Sequence, residues 1–442
     1  MKINKLSIDK YKNIENLVIN FSDDDFAVFI GNNGSGKSNL LEAIINIFKW
    51  IYCLEKPLFD FEIDYNLFDR RNVNIKSDIN KGFIVKVNNN EITLKQLKTL
   101  MKDDLQTILP RNILVYYSGH SEKLSNLIGF STKKFIRNIK QGAFIPRHFF
   151  YLHPSYFSMV LLSILGSELE DIKILVKKNL SISSLDSFTI TLCKDKADSV
   201  GFLTTFIDLL EDLNDGFEDK NRLRTYNFKG NALQKIINHG AIGYDRDLFK
   251  FLDVAHCLGV LSDIQVKCVL ESGIIVGNED FSEGEKQYLT LNAIIEFFGY
   301  KDTLYLFDEP DTFFHPNWQR QLLNDLKMTG VQTQFIITTH SPLLLSSVDQ
   351  EDIFLMDNGN VFSTNSNGSL GRDVNGILTE IMGVSERPFE VTSLINKFHE
   401  HISRKKIAEA KLIIDQLKGK ISDSDPFFIE AESLLHILEV LE

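Results

Sequence analysis

The sequence predicts an α/β fold built on a parallel β-sheet, and two apolar runs carry that prediction. Residues 26–30 and 303–307 have the length and character of strands that are covered on both faces of a sheet. The first run leads through a glycine-containing loop into residues 39–48, where apolar residues recur with a helical period. Acidic residues follow the second run directly. Because ligands of open parallel sheets bind at the carboxyl ends of strands, we expect one site where both runs end.

The loop after the first run, residues 31–38, reads Gly-Asn-Asn-Gly-Ser-Gly-Lys-Ser and is a complete phosphate-binding pattern. Backbone N–H groups of such a loop converge on phosphate oxygens, and the following helix N-terminus adds partial positive charge. Lys37 is expected to contact the β- and γ-phosphates of a nucleoside triphosphate, and Ser38 to ligate Mg²⁺. A glycine-rich turn that binds nothing is the alternative. The predicted nucleotide-binding residues of the loop are Asn32, Asn33, Gly34, Ser35, Gly36, Lys37, Ser38 and Asn39.

Two strand ends downstream supply groups that suit the chemistry of such a nucleotide. Asp308 and Glu309 follow the second run, so Asp308 is predicted to hold Mg²⁺ and Glu309 to orient and deprotonate the attacking water. A polar strand end before Pro310 is the alternative interpretation. A third predicted strand, residues 334–339, leads to His340, which could hydrogen-bond a γ-phosphate. Glu309 and His340 are therefore the predicted catalytic residues.

A helix running to about Phe298 is predicted to begin in the segment 281–287. Ser282 and Glu285 have the spacing of a capping box, which satisfies two N–H groups of the first turn. Capping does not explain Gly284, because glycine weakens a helix by up to about 1 kcal/mol unless something must approach its backbone. We therefore predict that Ser282, Gly284 and Glu285 also contribute to nucleotide binding.

These motifs, together with the N-terminal run 2–14, resemble the heads of ABC-type ATPases, and among them the RecF/SMC-like branch. The resemblance implies an ATPase that converts ATP and water to ADP and phosphate, with Mg²⁺ as cofactor. It also implies dimerisation around ATP, in which Ser282 and Gly284 of one subunit complete the site of the other. Asp311 falls at the D-loop of this family. The chain departs from the family after residues 112–117, where Ser118-Gly119-His120 stand in place of the Q-loop glutamine.

Four further segments resemble the AAA/ABC-type ATPases of bacterial anti-phage systems, particularly the Septu ATPase PtuA and retron-associated ATPases. They are residues 116–119, 308–316, 371–378 and the tail that contains 407–412 and 425–426. This resemblance implies a homodimer or higher homo-oligomer, a separate HNH-type nuclease subunit and nucleic acid contacted through the complex. The overcoming-lysogenisation ATPases carry a C-terminal Toprim nuclease instead, and only about a hundred residues follow His340 here.

Composition and charge limit the classes of partner. The formal net charge of −12 over 442 residues argues against strong sequence-independent DNA binding by the chain as a whole. Residues 121–150 are nevertheless basic and interleaved with phenylalanine, which fits either a nucleic-acid or partner patch or a solvated helix face over an aromatic core. No stretch of eighteen apolar residues occurs and Met1 leads directly into a strand, so we expect no membrane partner and a cytoplasmic location.

The patterns predict four regions. Residues 1–118 form an N-lobe with the phosphate loop, and residues 119–260 form a compact helical insertion without the heptads of a coiled coil. Residues 261–370 form a C-lobe that contains Asp308, Glu309, His340 and the signature segment, residues 282–286, which resembles the signature motif of the ABC-type family. Within this lobe, residues 264–270 are predicted to return to the sheet. Residues 371–442 form a helical C-terminal region. Hairpins are predicted over 83–94 and 352–362.

The function that fits all motifs is an ATPase that dimerises around ATP and controls a partner nuclease in anti-phage defence. A RecF-like DNA repair ATPase that binds DNA directly is one alternative. A transporter's nucleotide-binding subunit is disfavoured by Ser-Glu-Gly-Glu at 282–285 and by the missing Q-loop. A slow-turnover nucleotide sensor acting as an assembly module is disfavoured by the intact Glu309 and His340.

Overall fold

The structure is a computed structural model, and the chain divides into two compact units, Met1–Gly371 and Arg372–Glu442. It describes residues 1–69, 71–80, 82–103, 108–119, 122–142, 147–167, 170–197, 201–239, 245–298, 302–329, 333–363, 376 and 387–441.

The first unit contains all the described strands. In chain order they are β1 (Lys2–Tyr11), β2 (Ile14–Asn20), β3 (Phe26–Ile30), β4 (Phe61–Asn66), β5 (Asn72–Asp78), β6 (Gly82–Val87), β7 (Asn90–Ile92), β8 (Asn112–Tyr117), β9 (Phe149–Leu152), β10 (Ile182–Cys193), β11 (Gly216–Lys220), β12 (Leu223–Lys229), β13 (Leu261–Leu270), β14 (Ile275–Gly277), β15 (Thr303–Asp308), β16 (Gln334–Thr338), β17 (Ile353–Asp357) and β18 (Asn360–Ser363).

The helices of the first unit are α1 (Lys37–Cys53), α2 (Leu94–Asp103), α3 (Lys123–Lys140), α4 (Phe157–Leu165), α5 (Glu170–Leu180), α6 (Lys194–Ala197), α7 (Gly201–Leu213), α8 (Ala232–Ile237), α9 (Asp245–Cys257), α10 (Glu283–Phe298), α11 (Pro316–Thr329) and α12 (Pro342–Leu345). The helices of the second unit are α13 (Phe389–Ser403), α14 (Ile407–Leu417) and α15 (Pro426–Leu441). None of the described helices is long and apolar enough to cross a membrane.

A seven-stranded sheet with the order β18-β17-β3-β16-β15-β8-β9 carries the predicted site. All its neighbouring strands run parallel except β17 and β18, which form the predicted hairpin over 352–362. Every residue of β3, β15 and β16 is buried, because helices cover the sheet and neither face of these strands is exposed to solvent. The sequence prediction of a parallel sheet is confirmed.

A hydrophobic core lies between this sheet, α1 and a second sheet. The second sheet is antiparallel, with the order β2-β1-β4-β5-β6-β7, and β6 and β7 are the predicted hairpin over 83–94. Helix α1 is almost entirely buried, and Phe48 on it meets the ring of Tyr65 with centroids 5.7 Å apart. This packing fixes the start of α1 at the carboxyl edge of the seven-stranded sheet.

The region 119–260 is not the helical insertion that we predicted. Its helices α3, α4, α5, α7, α8 and α9 are accompanied by β10, β11 and β12, which belong to a five-stranded antiparallel sheet of order β11-β12-β10-β13-β14. The prediction that residues 264–270 return to the nucleotide-binding sheet is also wrong, since β13 pairs with β10 over most of its length. Alternation of Phe188, Ile190 and Leu192 with polar residues was the available strand signal.

The aromatic residues in the described part of the segment 121–150 are largely accounted for by packing. Helix α3 is amphipathic and buries Phe135, and Phe149 and Phe150 are buried in β9. Arg147 is buried too, where it forms an ion pair with Asp253 at 2.9 Å. These contacts favour the interpretation of a helix face over an aromatic core rather than a nucleic-acid patch.

The second unit has its own small hydrophobic core. Phe398 is fully buried between the helices, and its ring lies 5.2 Å from that of Phe427. Arg387 and Asp425 form a two-point ion pair at the start of the unit's described part. Of the segment 371–378, which carried part of the resemblance, all but Gly376 lies outside the described residues.

Candidate nucleotide-binding site

The phosphate loop joins β3 to α1 as predicted. Gly36 is the N-cap of α1 and has a φ of +113°, a backbone conformation that glycine adopts without strain. No side chain caps the helix, so N–H groups of its first turn have no intrahelical acceptor and remain available to an anion. The Ser35 hydroxyl is buried and has no hydrogen-bond partner among the described residues. A loop with unmatched donors at a helix N-terminus fits a bound phosphate.

Lys37 folds back over the loop. Its Nζ donates to the carbonyl oxygens of Gly31 at 2.7 Å and Asn32 at 3.3 Å, and it lies 2.9 Å from Nε2 of His340. Burial lowers the pKa of Lys37, while the carboxylates of Glu309 and Asp308 oppose that shift. The ammonium group therefore sits among acceptors that a phosphate group can replace.

Asp308 lies at the end of β15, directly beside the loop. Its side chain is 1% exposed and accepts a short hydrogen bond from the hydroxyl of Thr338 on β16. Burial raises the pKa of Asp308, and hydrogen bonds from Thr338 and Ser38 work in the opposite direction. The contact with Ser38 brings together the two residues that we predicted as Mg²⁺ ligands. A hydroxyl and a carboxylate are oxygen donors of the kind that Mg²⁺ prefers.

Glu309 and His340 face each other across the ends of β15 and β16. Oε1 of Glu309 lies 3.4 Å from Nε2 of His340, the same nitrogen that contacts Lys37. When Nε2 carries the proton it donates to Glu309, and this contact holds the pKa of that carboxyl below its usual value. Glu309 has a φ of +52°, held by a hydrogen bond from its N–H to the carbonyl of Thr338 at 3.0 Å. Such a left-handed non-glycine residue stores on the order of 1–3 kcal/mol and is typical of functional turns.

A second layer of polar residues supports this edge. The hydroxyl of Thr339 donates to both oxygens of Asp311 at 2.9 Å, and the N–H of Ser341 donates to Thr339 at 2.9 Å. Gln319 bridges the carbonyl of Asp311 at 3.2 Å and the hydroxyl of Ser341 at 2.8 Å. Because His340 lies between Thr339 and Ser341, this network fixes the backbone that presents its ring.

Sequence reasoning missed three residues that shape the site. Asn13, in the turn after β1, donates to the carbonyl of Gly34 at 3.2 Å and accepts from Asn39 at 2.7 Å. Asn39 thus braces the loop from outside. Thr338 and Thr339 position the acidic residues as described above. A pair of threonines at the end of a buried strand was the available signal. The side chains of Asn32 and Asn33 are exposed at the loop.

The signature segment begins α10 with the predicted capping box. The backbone and hydroxyl of Ser282 donate to Glu285 at 2.8 and 2.7 Å, and the N–H of Glu285 donates back at 3.3 Å. Our argument that Gly284 requires a ligand is wrong, because a Cβ there would lie 2.4 Å from the carbonyl oxygen of Phe313. Packing within the chain already requires this glycine. Among the described residues, no hydrogen bond joins Ser282 or Glu285 to the phosphate loop.

The residues that meet at this edge fit a nucleoside triphosphate with Mg²⁺. The loop offers N–H donors, the unpartnered hydroxyl of Ser35 and the ammonium of Lys37, while Ser38 and Asp308 offer oxygen ligands. Elsewhere in the described part of the chain, no group of three or more His, Cys, Asp or Glu residues could hold a metal ion. The parallel sheet, the loop and the acidic strand end define a P-loop ATPase.

Comparisons with known proteins agree with this class. A family described as "AAA ATPase domain" matches residues 1–144, and one described as "AAA domain, putative AbiEii toxin, Type IV TA system" matches residues 144–346. The retron Ec83 probable ATPase of Escherichia coli is 33% identical over 105 residues, which are 23% of this chain and 19% of that protein. The retron Vc95 probable ATPase of Vibrio cholerae serotype O1 biovar El Tor is 24% identical over 468 residues, covering 91% of this chain and 84% of that protein.

Among solved structures, similar chains include an SMC head bound to the C-winged helix domain of ScpA, with a TM-score of 0.40, 16% identity and coverage of 82% of this chain and 98% of that chain. The recombination mediator protein RecF is also similar, with a TM-score of 0.36, 15% identity and the same coverages.

Proposed function

We propose that this chain hydrolyses ATP with Mg²⁺ and that two copies close around the nucleotide to do so. The observation that carries the proposal is the contact of Lys37 and Glu309 with the same nitrogen of His340. Phosphoryl transfer to water requires a cation that binds the phosphate and a carboxylate that accepts the proton of the water. It also requires, in this proposal, an imidazole that can change its hydrogen-bond partner.

Each residue has a separate role in the proposed reaction. Lys37 exchanges the carbonyls of Gly31 and Asn32 and the ring nitrogen of His340 for phosphate oxygens. His340, with its proton on Nε2, then donates to the γ-phosphate instead of to Glu309. Glu309 then loses its partner and can accept the proton of the attacking water. Ser38 and Asp308 would hold Mg²⁺, which neutralises the charge that develops on the phosphate. No chemistry beyond this is needed, because phosphoryl transfer is catalysed chiefly by positioning and charge stabilisation.

In the proposed dimer, each nucleotide site is composite: the signature segment of one copy completes the site of the other. Ser282 is exposed at the N-terminus of a sixteen-residue helix, where the helix dipole favours an anion. We assign Ser282 and the backbone of Gly284 and Glu285 to the γ-phosphate held by the second copy. The close approach of Phe313 to Gly284 joins the signature turn to the D-loop, so closure at one would be transmitted to the other.

The proposed role is control of a separately encoded HNH-type nuclease in anti-phage defence. Two observations support it: the similarity to two probable ATPases of retrons, and the resemblance of several motifs to the Septu ATPase. We expect a variant of the chain that cannot hydrolyse ATP still to bind the nuclease, and to keep the nuclease in a single activity state. Arg147, next to α3, is used in a buried ion pair and is therefore not available for direct DNA binding.

Phosphate release by the purified chain tests the hydrolysis step. We expect release that requires Mg²⁺ and disappears in Lys37→Ala. Wild-type protein that binds ATP and Mg²⁺ but releases no phosphate, alone or with the nuclease encoded beside it, would contradict the proposal.

Copurification of that nuclease tests the partner. We expect the pair to elute together, and protection against phage to be lost in Glu309→Gln cells that still contain the complex.

A further inference from the structure

Tyr117 ends β8 beside the acidic end of β15. It pairs in register with Asp308, and Asp308 pairs in register with Thr338 on β16. In-register residues of neighbouring parallel strands extend their side chains from the same face of the sheet. Thr338 hydrogen-bonds Asp308 on that face, so the side chain of Tyr117 belongs to the same row.

That face is the one covered by α1 and the phosphate loop. Ile113 and Val115, four and two residues before Tyr117, belong to the core cluster that contains most of α1, and Tyr117 packs partly against the same cluster. Tyr116 extends from the opposite face, where it borders a cavity of about 520 Å³ that Gln287 of α10 also lines. Of the two neighbouring tyrosines, only Tyr117 therefore faces the nucleotide.

The conformation of the segment after β8 helps to hold the phenol of Tyr117 on this face of the sheet. A Cβ at Gly119 would lie 2.2 Å from the hydroxyl oxygen of Tyr117, so only glycine leaves room for the ring's polar end. The N–H of Ser118 donates to the carbonyl of Asp308 at 3.2 Å, and the Ser118 hydroxyl lies 3.1 Å from that of Thr312. Both contacts tie the segment to the turn that carries Glu309.

The hydroxyl of Tyr117 has hydrogen-bonding capacity to spare. Among the described residues, none forms a hydrogen bond with it. Burial raises the pKa of Tyr117, and the charges of Asp308 and Glu309 raise it further, so the phenol stays neutral at physiological pH. A neutral phenol can donate one hydrogen bond and accept another.

We propose that Tyr117 is a positioning residue that holds the attacking water for Glu309. The inference rests on the hydrolysis proposed above. The water donates one proton to Glu309 and a hydrogen bond to the oxygen of Tyr117. Its own oxygen bonds to the γ-phosphorus as the bond to ADP breaks. A glutamine carbonyl and a phenol share the acceptor that this role requires.

Three variants test the assignment. In Tyr117→Phe we expect kcat to fall about tenfold, the effect of losing one neutral hydrogen bond, with KM for ATP unchanged within about twofold. Tyr117→Gln should recover kcat to within about threefold of wild type, because it restores the acceptor. Tyr116→Phe is the matched control and should leave kcat unchanged, since that hydroxyl faces the other side of the sheet.

Calorimetry with a non-hydrolysable ATP analogue and Mg²⁺ supplies a readout that does not depend on turnover. We expect equal affinities for wild type and Tyr117→Phe. Weaker analogue binding in Tyr117→Phe, an unchanged kcat, or no recovery in Tyr117→Gln would each overturn the inference. If wild type itself does not hydrolyse ATP, the proposed function fails; if wild type hydrolyses and Tyr117→Phe matches it, only the role of Tyr117 fails.

Discussion

Nζ of Lys37 lies 2.9 Å from Nε2 of His340, so the cation of the phosphate loop and the histidine at the end of β16 contact each other directly. Both groups are predicted to bind phosphate. A phosphate group that enters the site therefore replaces this contact. His340 Nε2 is also the nitrogen nearest to Glu309, so the same event releases the general base.

Lys37→Ala should abolish ATP binding. The site loses its charge-assisted contact to phosphate, and we expect affinity for a non-hydrolysable ATP analogue to fall by at least about 2 kcal/mol, or about thirtyfold. Calorimetry with Mg²⁺ present measures the change. Lys49→Ala on the same helix is the control, because Lys49 lies over the ring of Phe130 and away from the loop. Unchanged affinity in Lys37→Ala would refute the role of this lysine.

Glu309→Gln should bind nucleotide normally and turn over slowly. Removing a positioned general base lowers kcat by roughly 10²–10⁴, while the amide keeps the shape of the side chain. ATP-bound dimers should then accumulate and be visible by light scattering. Glu351→Gln, at an exposed carboxylate after β16, is the control and should behave as wild type. If Glu309→Gln loses the metal while Asp308→Asn keeps it, the two roles are exchanged.

Ser282→Arg should prevent ATP-driven dimerisation while leaving ATP binding by the monomer intact. An arginine at the exposed start of α10 would block the second copy, whereas Gly284→Arg would also displace the carbonyl of Phe313 within the same chain. Ser282→Ala removes the cap, at roughly 0.5–2 kcal/mol of stability, and the proposed phosphate contact without adding bulk, so it separates loss of the hydroxyl from steric blocking. Light scattering in a Glu309→Gln background gives the result. Dimers of Ser282→Arg as stable as their parent would exclude a composite site.

Asp311→Asn should change the pH dependence of stability. Burial raises the pKa of Asp311 to about 6, so the folded state binds its proton more tightly than the unfolded state does. Wild type should therefore lose stability relative to the variant as pH rises from about 4 to above 6, by about 3 kcal/mol in all. Denaturant unfolding of both proteins at several pH values measures this difference. Burial also raises the pKa of Asp352 to about 6. Because both proteins contain Asp352, its contribution cancels in the difference between their stabilities. Parallel curves would refute the assignment.

Arg147→Met should destabilise the chain by about 3–5 kcal/mol, because it leaves Asp253 buried without its cation. Both side chains are less than a tenth exposed. Lys133→Met, at an exposed position of α3, is the control and should cost little. Thermal unfolding measures both changes. If Arg147→Met leaves the stability unchanged and instead abolishes nucleic-acid binding, the basic segment 121–150 is a nucleic-acid interface after all.

Short motifs allowed much of the site to be predicted from the sequence. Residues 31–38 supply both the glycines and the side chains that a phosphate loop needs. Asp308 and Glu309 directly follow an apolar run that predicts a buried strand, so they are predicted to lie at its carboxyl end. The capping box of Ser282 and Glu285 forms within one helical turn. Each of these features depends on neighbours in sequence, so the pattern of residue types is sufficient evidence for it.

Contacts between distant segments were decided only by the tertiary structure. β10 and β13 pair across the intervening helices and strands, so no local pattern in 264–270 could assign that strand to its sheet. The partner of Gly284 is a carbonyl in the D-loop, and that of Arg147 is an aspartate on α9. Tyr117 joins the site because β8 lies in register beside β15. The sequence by itself determined which chemical groups the protein offers, and the packing of remote strands and helices decided which of them meet.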